Sequence, residues 1–577
     1  VPPIIGIDLG TTNSALAYTN GEKIELFPIE QVLNPGEVRA ELLLPSFLYL
    51  PGPTEFPEGA TGLPWDRNAP LAGKFAQKRG LENSGRLVAS AKSWLSYSGV
   101  DRSSALLPWQ APEGVAKISP LEASSVYLRH LRSAWDAAHP AEPLSEQEVL
   151  VTVPASFDEV ARELTQKAAE DAGFRNLTLL EEPQAAFYAW LARHQNWRDL
   201  VSAGDLILVI DIGGGTTDFS LIAVNDAAGG LALERVAVGE HILLGGDNID
   251  LALARAVAAR LAEKGTRIDN FQLQSLWNSC RVAKEQLLDA RPQVNEVPVP
   301  VLGKGSGLVG GTIKAALQRS DVDQVLEGFF PLVAPDKLPQ KRRGGLLELG
   351  LPYAADAAVT RHLARFLATA RQGETVKPTH VLFNGGVLHA GFVRERLLQV
   401  LANWYGGPVR ALEGEDLMHA VARGAAYYGA ARHGGGVRIR GGISRSYYVG
   451  IESAMPSVPG IPAPHKAIAV AQFGMEEGTD LQVPSRAFGL VTGEAAEFRF
   501  FSSAVRKDDA PGSVIEDFRG DLEEMSPMQV HLPGAGGVVP VTFETVVTET
   551  GLLQLWCVAA DGRRWKLEFN VREKVSG

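Results

Sequence analysis

A chain of 577 residues is too long for a single hydrophobic core, so several domains are expected. Hydrophobic content of 45% and charged content of 21% are ordinary for a soluble globular protein, and a net charge of −12 argues against nucleic acid as a main partner. No apolar run approaches the roughly 20 residues of a membrane span. The opening VPPIIGIDLG lacks a signal-peptide pattern, and the two distant cysteines, Cys280 and Cys557, exclude a disulfide framework and a cysteine-rich zinc site and suit a reducing cytoplasm.

The first element, IIGIDLGTTNSALAY (residues 4–18), reads as an apolar strand, then Asp8, Gly10, Thr11, Thr12 and Asn13 in a turn, then a return strand. Residues 24–118 mix short strands with Pro/Gly turns, and 73–95 read helix, loop, helix, with Lys92 near the end. Residues 122–138 have helical period. EVLVTVP (148–154) is a β-branched strand ended by Pro154, and a helix over 157–172 follows, with Asp158 as its cap. A short strand over 177–180 leads to Glu181, Glu182 and Pro183, then to a helix over 184–194 whose aromatic residues read as core. This alternation of strands and helices predicts a mixed α/β sheet, with ligands outside the strand ends.

LILVIDIGGGTTDFSL (206–221) repeats the first hairpin: a buried strand ending in Asp211, then Gly213, Gly214, Gly215, Thr216, Thr217 and Asp218, then a return strand. Successive bare N–H groups in such a turn form an anion nest suited to phosphate, and a neighbouring carboxylate can hold Mg²⁺ through water. Two copies predict a duplicated fold whose lobes face one cleft that takes a nucleoside triphosphate and its metal. Gly245 and Gly246 open a helix over 249–263, a second anion-friendly place. Further helices are predicted over 271–289, 322–330, 354–370, 392–404 and 420–431, with a strand over 380–383 before Asn384, Gly385 and Gly386. After Gly434-Gly435-Gly436 the helical patterns vanish. Strands are predicted over 447–451, 467–473 and 497–502, and a β-meander over 538–571 with an Asp561-Gly562 turn, so a β-sandwich is expected. Gly303-Lys304-Gly305-Ser306 has the wrong spacing for a P-loop, and neither H-E-x-x-H nor G-x-S-x-G occurs.

IGIDLGTTNS, VLVTVPASFDEVAR, LLEEPQAA, VIDIGGGTTDFS, LGGDNID and FNGGV stand in one order across the first 430 residues. In these motifs the chain resembles the seventy-kilodalton heat-shock chaperones, the DnaK-like proteins. The resemblance implies an actin-like, duplicated ribonuclease-H-like, two-lobed ATPase domain over 1–433, a Gly-rich linker over 434–446 and a β-sandwich substrate-binding-like domain over 447–577. It implies ATP or ADP with Mg²⁺, and K⁺ as a further candidate. Asp8 and Asp211 would hold the metal through its waters. Thr11, Thr12 and Asn13, with Gly10, Gly213, Gly214, Gly215 and Thr216, would cradle the phosphates. Lys92 would reach the γ-phosphate and the attacking water, with Glu182 and Asp218 orienting that water. Gly245, Gly246, Lys284, Gly385 and Gly386 would complete the nucleotide site. Pro154 and Arg162 match the positions through which the family's ATPase cleft signals to its peptide domain.

Some residues depart from the family. In Cys280-Arg281-Val282-Ala283-Lys284-Glu285-Gln286-Leu287-Leu288 the charges at 281 and 285 are exchanged and Leu288 replaces a hydroxyl, which leaves ATP affinity and release rate open. The acidic, leucine-rich linker is replaced by GGGVRIRGGISRSYY, in which Val437, Ile439 and Ile443 could still add a strand to a lobe edge. No helical lid pattern follows Val571, so either the relative is lidless or the chain is cut. The expected function is that of a cytoplasmic ATP-dependent chaperone for unfolded or extended polypeptides, with co-chaperones and exchange factors as further partners and neither nucleic acid nor membrane among them. The alternatives are an exchange or scaffold relative that binds ATP with little hydrolysis, and an actin-like filament or sugar kinase.

Overall fold

Each of the two glycine turns returns the chain as the antiparallel partner of the strand before it. Ile4–Asp8 pairs with Asn13–Thr19 in the register Asp8↔Ala15, and Leu206–Ile212 pairs with Thr217–Ala227 in the register Asp211↔Asp218. These pairings come from a computed structural model that describes residues 2–21, 23–109, 111–227, 230–288, 294–301, 313–340, 350–370, 376–414, 416–434, 439–440, 442–443, 445–452, 465–476, 478–492, 495–516, 521–525, 527–531, 537–548 and 552–569.

The duplication is carried by topology. In the first sheet, Ile4–Asp8 lies between its hairpin partner and the parallel strand Glu148–Val153, which pairs in turn with Asn176–Glu181. In the second, Leu206–Ile212 lies between its hairpin partner and the parallel strand His380–Asn384, which pairs with Arg410–Leu412. Both central strands are buried on both faces, as continuous apolar runs flanked by helices should be. Each lobe has its own core, and a third cluster joins the two sheets. It sets Ile4, Leu150, Ile207, Val209 and Leu382 against the helices Glu182–Arg193 and Ala420–Gly434. The two strand ends that carry Asp8 and Asp211 are therefore locked into one frame.

Past Ser446 the described chain is all β. Val514–Ile515, His465–Ala471, Ser446–Glu452, Phe500–Ser503 and Glu523–Glu524 make one sheet. A second is built around Gly537–Val547, Leu553–Ala559 and Arg564–Phe569. The two enclose a core that includes Tyr447, Ile468, Phe500, Phe543 and Leu555. The expected Asp561-Gly562 hairpin turn is present, with Gly562 at φ 87°.

Several elements differ from the sequence expectation. The strand expected over 497–502 breaks at Arg499 into Ala495–Phe498 and Phe500–Ser503, which belong to different sheets, so the chain crosses the sandwich there. The helix expected from 354 begins at Val359, because the Asp356 carboxylate accepts the amides of Gln340 and Ala358 and holds a turn ahead of it. The helix expected from 322 begins at Arg319, where the Asp321 carboxylate accepts the Gln318 amide. Within the glycine-rich 434–446 segment, Ile439–Arg440 is a strand parallel to Gly230–Val238, its Ile439 amide donating to the Tyr188 hydroxyl at 2.8 Å. Val437, the P-loop-like 303–306 and the tail after Val571 lie outside the described residues. Among the described residues, no helix is long and apolar enough to cross a membrane.

Candidate active site

The two strand ends open on a cavity of about 660 Å³ between the lobes. The first lobe contributes Asp8, Gly10, Thr11, Thr12, Asn13, Lys92 and Glu182; the second contributes Asp211, Gly213, Gly214, Thr216, Gly246, Lys284, Gly385 and Gly386. Of the residues singled out from sequence, Gly215, Gly245 and Asp218 stand behind this lining, and Pro154 and Arg162 lie away from it. Gly245 caps the helix Gly246–Glu263 against the Gly213 and Gly214 carbonyls, and the N-terminus of that helix faces the cavity through Gly246.

The turns approach each other so closely that side chains are excluded. A Cβ on Gly214 would collide with the Thr12 hydroxyl of the other lobe. Gly385 has φ 94°, and a Cβ there would strike the Ile212 backbone and stand 2.6 Å from Asp211 Oδ1. Beside it, Asn384 Nδ2 donates to Asp211 Oδ2 at 2.7 Å and orients that carboxylate. Asn384 was legible only as part of a motif. Its role follows from the parallel register Asp211↔Asn384, which a strand ending at the same level as Asp211 could have suggested.

Lys92 is carried by the short helix Ala91–Ser96 and is 7% exposed; its ammonium pairs with the Glu182 carboxylate at the start of the helix Glu182–Arg193. Four carboxyl groups thus crowd one buried region beside one lysine. Burial, then the Glu182 charge, raises Asp8 to about 7, against the lowering pull of Lys92. Burial and Glu182 likewise raise Asp211 well above the usual carboxylate range. Burial raises Asp218 to about 7, partly offset by its bond from the Ser156 hydroxyl. Such a cluster is short of positive charge.

A hydrated Mg²⁺ with a polyphosphate fits this donor set. Among the described residues, no group of three or more His, Cys, Asp or Glu is placed to ligate a metal directly. Asp8 and Asp211 both line the cavity, where their carboxylates would meet a metal's waters. The Thr12 hydroxyl, buried in the first glycine turn, has no hydrogen-bond partner among the described residues. A phosphate oxygen would satisfy it.

The outer part of the cavity explains the charge exchange at 281 and 285. Arg281 is buried; its Nη2 lies 2.5 Å from Asp247 Oδ1 and its Nε 3.1 Å from Asp250 Oδ2. Lys284 Nζ lies 2.7 Å from Asp250 Oδ1. Asp247 also accepts from Ser90 of the first lobe at 2.9 Å, and the Arg281 guanidinium lies over the Phe47 ring. Arg281 is therefore held in ion pairs where it lines the cavity, and Glu285, raised by burial, lines it as well. Asp247 and Asp250 had gone unremarked, although carboxylates three apart on one helix match Arg281 and Lys284 three apart on the next.

The chain matches known proteins over part of its length. Residues 75–333 match the family model described as Hsp70 protein, a stretch that holds Lys92, Glu182, the Asp211–Asp218 turn and Lys284. The chain is 30% identical over 329 residues to a chaperone protein HscA homolog of Pseudomonas paraeruginosa, covering 56% of this chain and 46% of that protein. It is 32% identical over 289 residues to the homolog of Pseudomonas putida, covering 50% and 42%. For the homolog of Paracidovorax citrulli the identity is 29% over 363 residues, covering 59% and 53%. The matches thus span about half the length of these relatives.

Proposed function

Starting from the premise that this chain belongs to the Hsp70-like family, with actin-like lobes and a β-rich C-terminal region, we propose that it hydrolyses ATP in the interlobe cleft and couples turnover to binding of extended polypeptide by the β-sandwich. The observation that carries this reading is the convergence of both glycine turns and the Lys92–Glu182 pair on one cavity.

Mg²⁺, when bound, would neutralise part of the phosphate charge and template the β- and γ-phosphate oxygens. Asp8 and Asp211 would hold its waters, and Asn384 keeps Asp211 turned toward the cavity. The turn amides around Thr11–Asn13 and Gly213–Thr216 would hold the triphosphate in line. Lys92 would stabilise charge on the transferred group, and Glu182, its buried partner, would orient the attacking water. Positioning and charge neutralisation do most of this chemistry, so no strong base is required.

The coupling reading rests on how the sandwich meets the first lobe and how the segment leading into it meets the second. Leu552 is buried in the first lobe's core, and Glu159 accepts from the Tyr447 hydroxyl and the Leu553 amide. On the second lobe, Arg235 pairs with Glu181 and its Nη2 donates to the Gly442 carbonyl at 2.5 Å. Glu181 also accepts from Arg162 at 2.9 Å and adjoins Glu182 of the cavity lining, so one carboxylate links Arg162 to Arg235, which holds Gly442.

Steady-state phosphate release with and without an unfolded polypeptide tests the proposal. Release that is Mg²⁺-dependent and stimulated by the polypeptide is expected. Tight ATP binding without release above buffer would instead favour a nucleotide-binding scaffold.

A further inference from the structure

Behind the cavity, a chain of four polar side chains crosses from one lobe to the other. Ser156 follows the strand Glu148–Val153 of the first lobe, and its hydroxyl donates to Asp218 Oδ1 of the second. The same Ser156 oxygen lies 2.7 Å from His241 Nδ1. On the far side of the ring, His241 Nε2 lies 3.1 Å from Ser96 Oγ, the last residue of the helix that carries Lys92. His241 stands between the strand Gly230–Val238 and the helix Gly246–Glu263, so Asp218 and His241 belong to the second lobe and Ser156 and Ser96 to the first.

The proton count gives this chain a direction. The Ser156 hydroxyl donates its one proton to Asp218 Oδ1. The Ser156 oxygen is left to accept, and the donor facing it is His241 Nδ1–H. Burial holds the ring neutral, lowering it to about 4, so Nε2 is bare and takes the Ser96 proton. Ser96 Oγ also lies 2.9 Å from the Ser93 carbonyl and turns between these two acceptors. The Phe157 ring lies edge-on to the imidazole with centroids 5.8 Å apart, and Arg445 of the β region, Asp158, Lys92 and Arg102 are the charges that act on it.

We propose that Ser156 and His241 are positioning residues for the hydrolytic reaction: together they tie the Lys92 helix of one lobe to Asp218 of the other. This role rests on the ATPase reading above. Lys92 and the Asp211–Asp218 turn act on the same phosphate from opposite lobes, and an error of about 1 Å between them costs on the order of a hundredfold in rate. Hydrogen bonds that share protons in a line strengthen one another and resist such slippage.

Single-turnover hydrolysis and ATP affinity at pH 8 test the bridge. Ser156→Ala and His241→Phe are each expected to slow turnover about tenfold while ATP affinity stays within about twofold. The double substitution should be no slower than either single, because both cut one chain. His241→Asn, which keeps a donor near the Nδ1 position but cannot also reach Ser96, should stay about as slow as His241→Phe. Rate losses that multiply in the double variant, or that fall in step with affinity, would overturn the proposal. If the unsubstituted chain binds ATP without turnover, the ATPase reading falls, and the bridge is decided by nitrogen NMR of His241. The Nδ1–H tautomer is expected, reverting to Nε2–H in Ser156→Ala; Nε2–H in the unsubstituted chain would refute it.

Discussion

The Tyr447 hydroxyl donates to Glu159 Oε1 across 2.8 Å, and this bond joins the all-β region to the first lobe at a point both residues bury. Glu159 Oε2 accepts the Leu553 amide at 3.2 Å, so one carboxylate holds two strands of the sandwich. Burial raises this carboxyl, with Arg162 opposing the rise. Its two donors and that arginine keep the desolvation cost tolerable.

Loss of one donor should therefore loosen docking more than the fold. Tyr447→Phe leaves a buried acceptor short of a partner, a cost of about 1–3 kcal/mol. The expected readout is faster amide exchange at Leu553 with protection in the central strand Leu206–Ile212 unchanged. Equal exchange in both proteins would mean that the hydroxyl does not hold the interface.

Lys92→Ala should leave ATP affinity within a few-fold and slow turnover by about a hundredfold or more. On the proposed ATPase reading the lysine would meet charge that develops in the transition state, whereas two turns and a metal would hold the ground state. Glu182 would lose its buried partner, so Lys92→Met, which keeps the stem, is the companion variant. Normal turnover in both would remove Lys92 from the chemistry.

On the proposed reading, Asp211→Asn should weaken Mg²⁺-ATP by about tenfold or more and leave metal-free ATP nearly unaffected, since the lost charge would face a cation and not a phosphate. Titration calorimetry with and without Mg²⁺ separates the two. If both complexes weaken equally, the residue serves the strand end and its bond from Asn384.

His130 supplies a pH dependence remote from the cleft. It is buried on the helix Pro120–Ala138 with Nε2 2.8 Å from the Glu30 carbonyl, and burial lowers it to about 4. The unfolded imidazole titrates near 6.5, so between these values the unfolded chain holds the extra proton. Its contribution is whole above about pH 6.5 and is lost as pH falls toward 4. For one such group this amounts to about 1 kcal/mol between pH 7.5 and 5.5. Urea midpoints at the two pH values should differ less in His130→Gln than in the unsubstituted chain.

The local pattern of the chain already determined both phosphate hairpins, because an apolar strand, an aspartate and a glycine turn are contiguous and encode their own geometry. Lys92 and Glu182 were legible only through motif resemblance. Their pairing depends on one helix and the start of another brought together across 90 residues. The β-sandwich was recognisable from its alternation and its Asp561-Gly562 turn, but the crossing at Arg499 was not, since Phe498 and Phe500 keep the alternation through the break and both pack on the sandwich core. Arg281 looked like a misplaced charge in the sequence; only packing against Asp247 and Asp250 makes it a structural ion pair. The same holds for Ser156 and His241, which are 85 residues apart and meet because two separately folded lobes close on one another. Contacts between lobes depend on how complete cores pack, and no local period in the sequence records that.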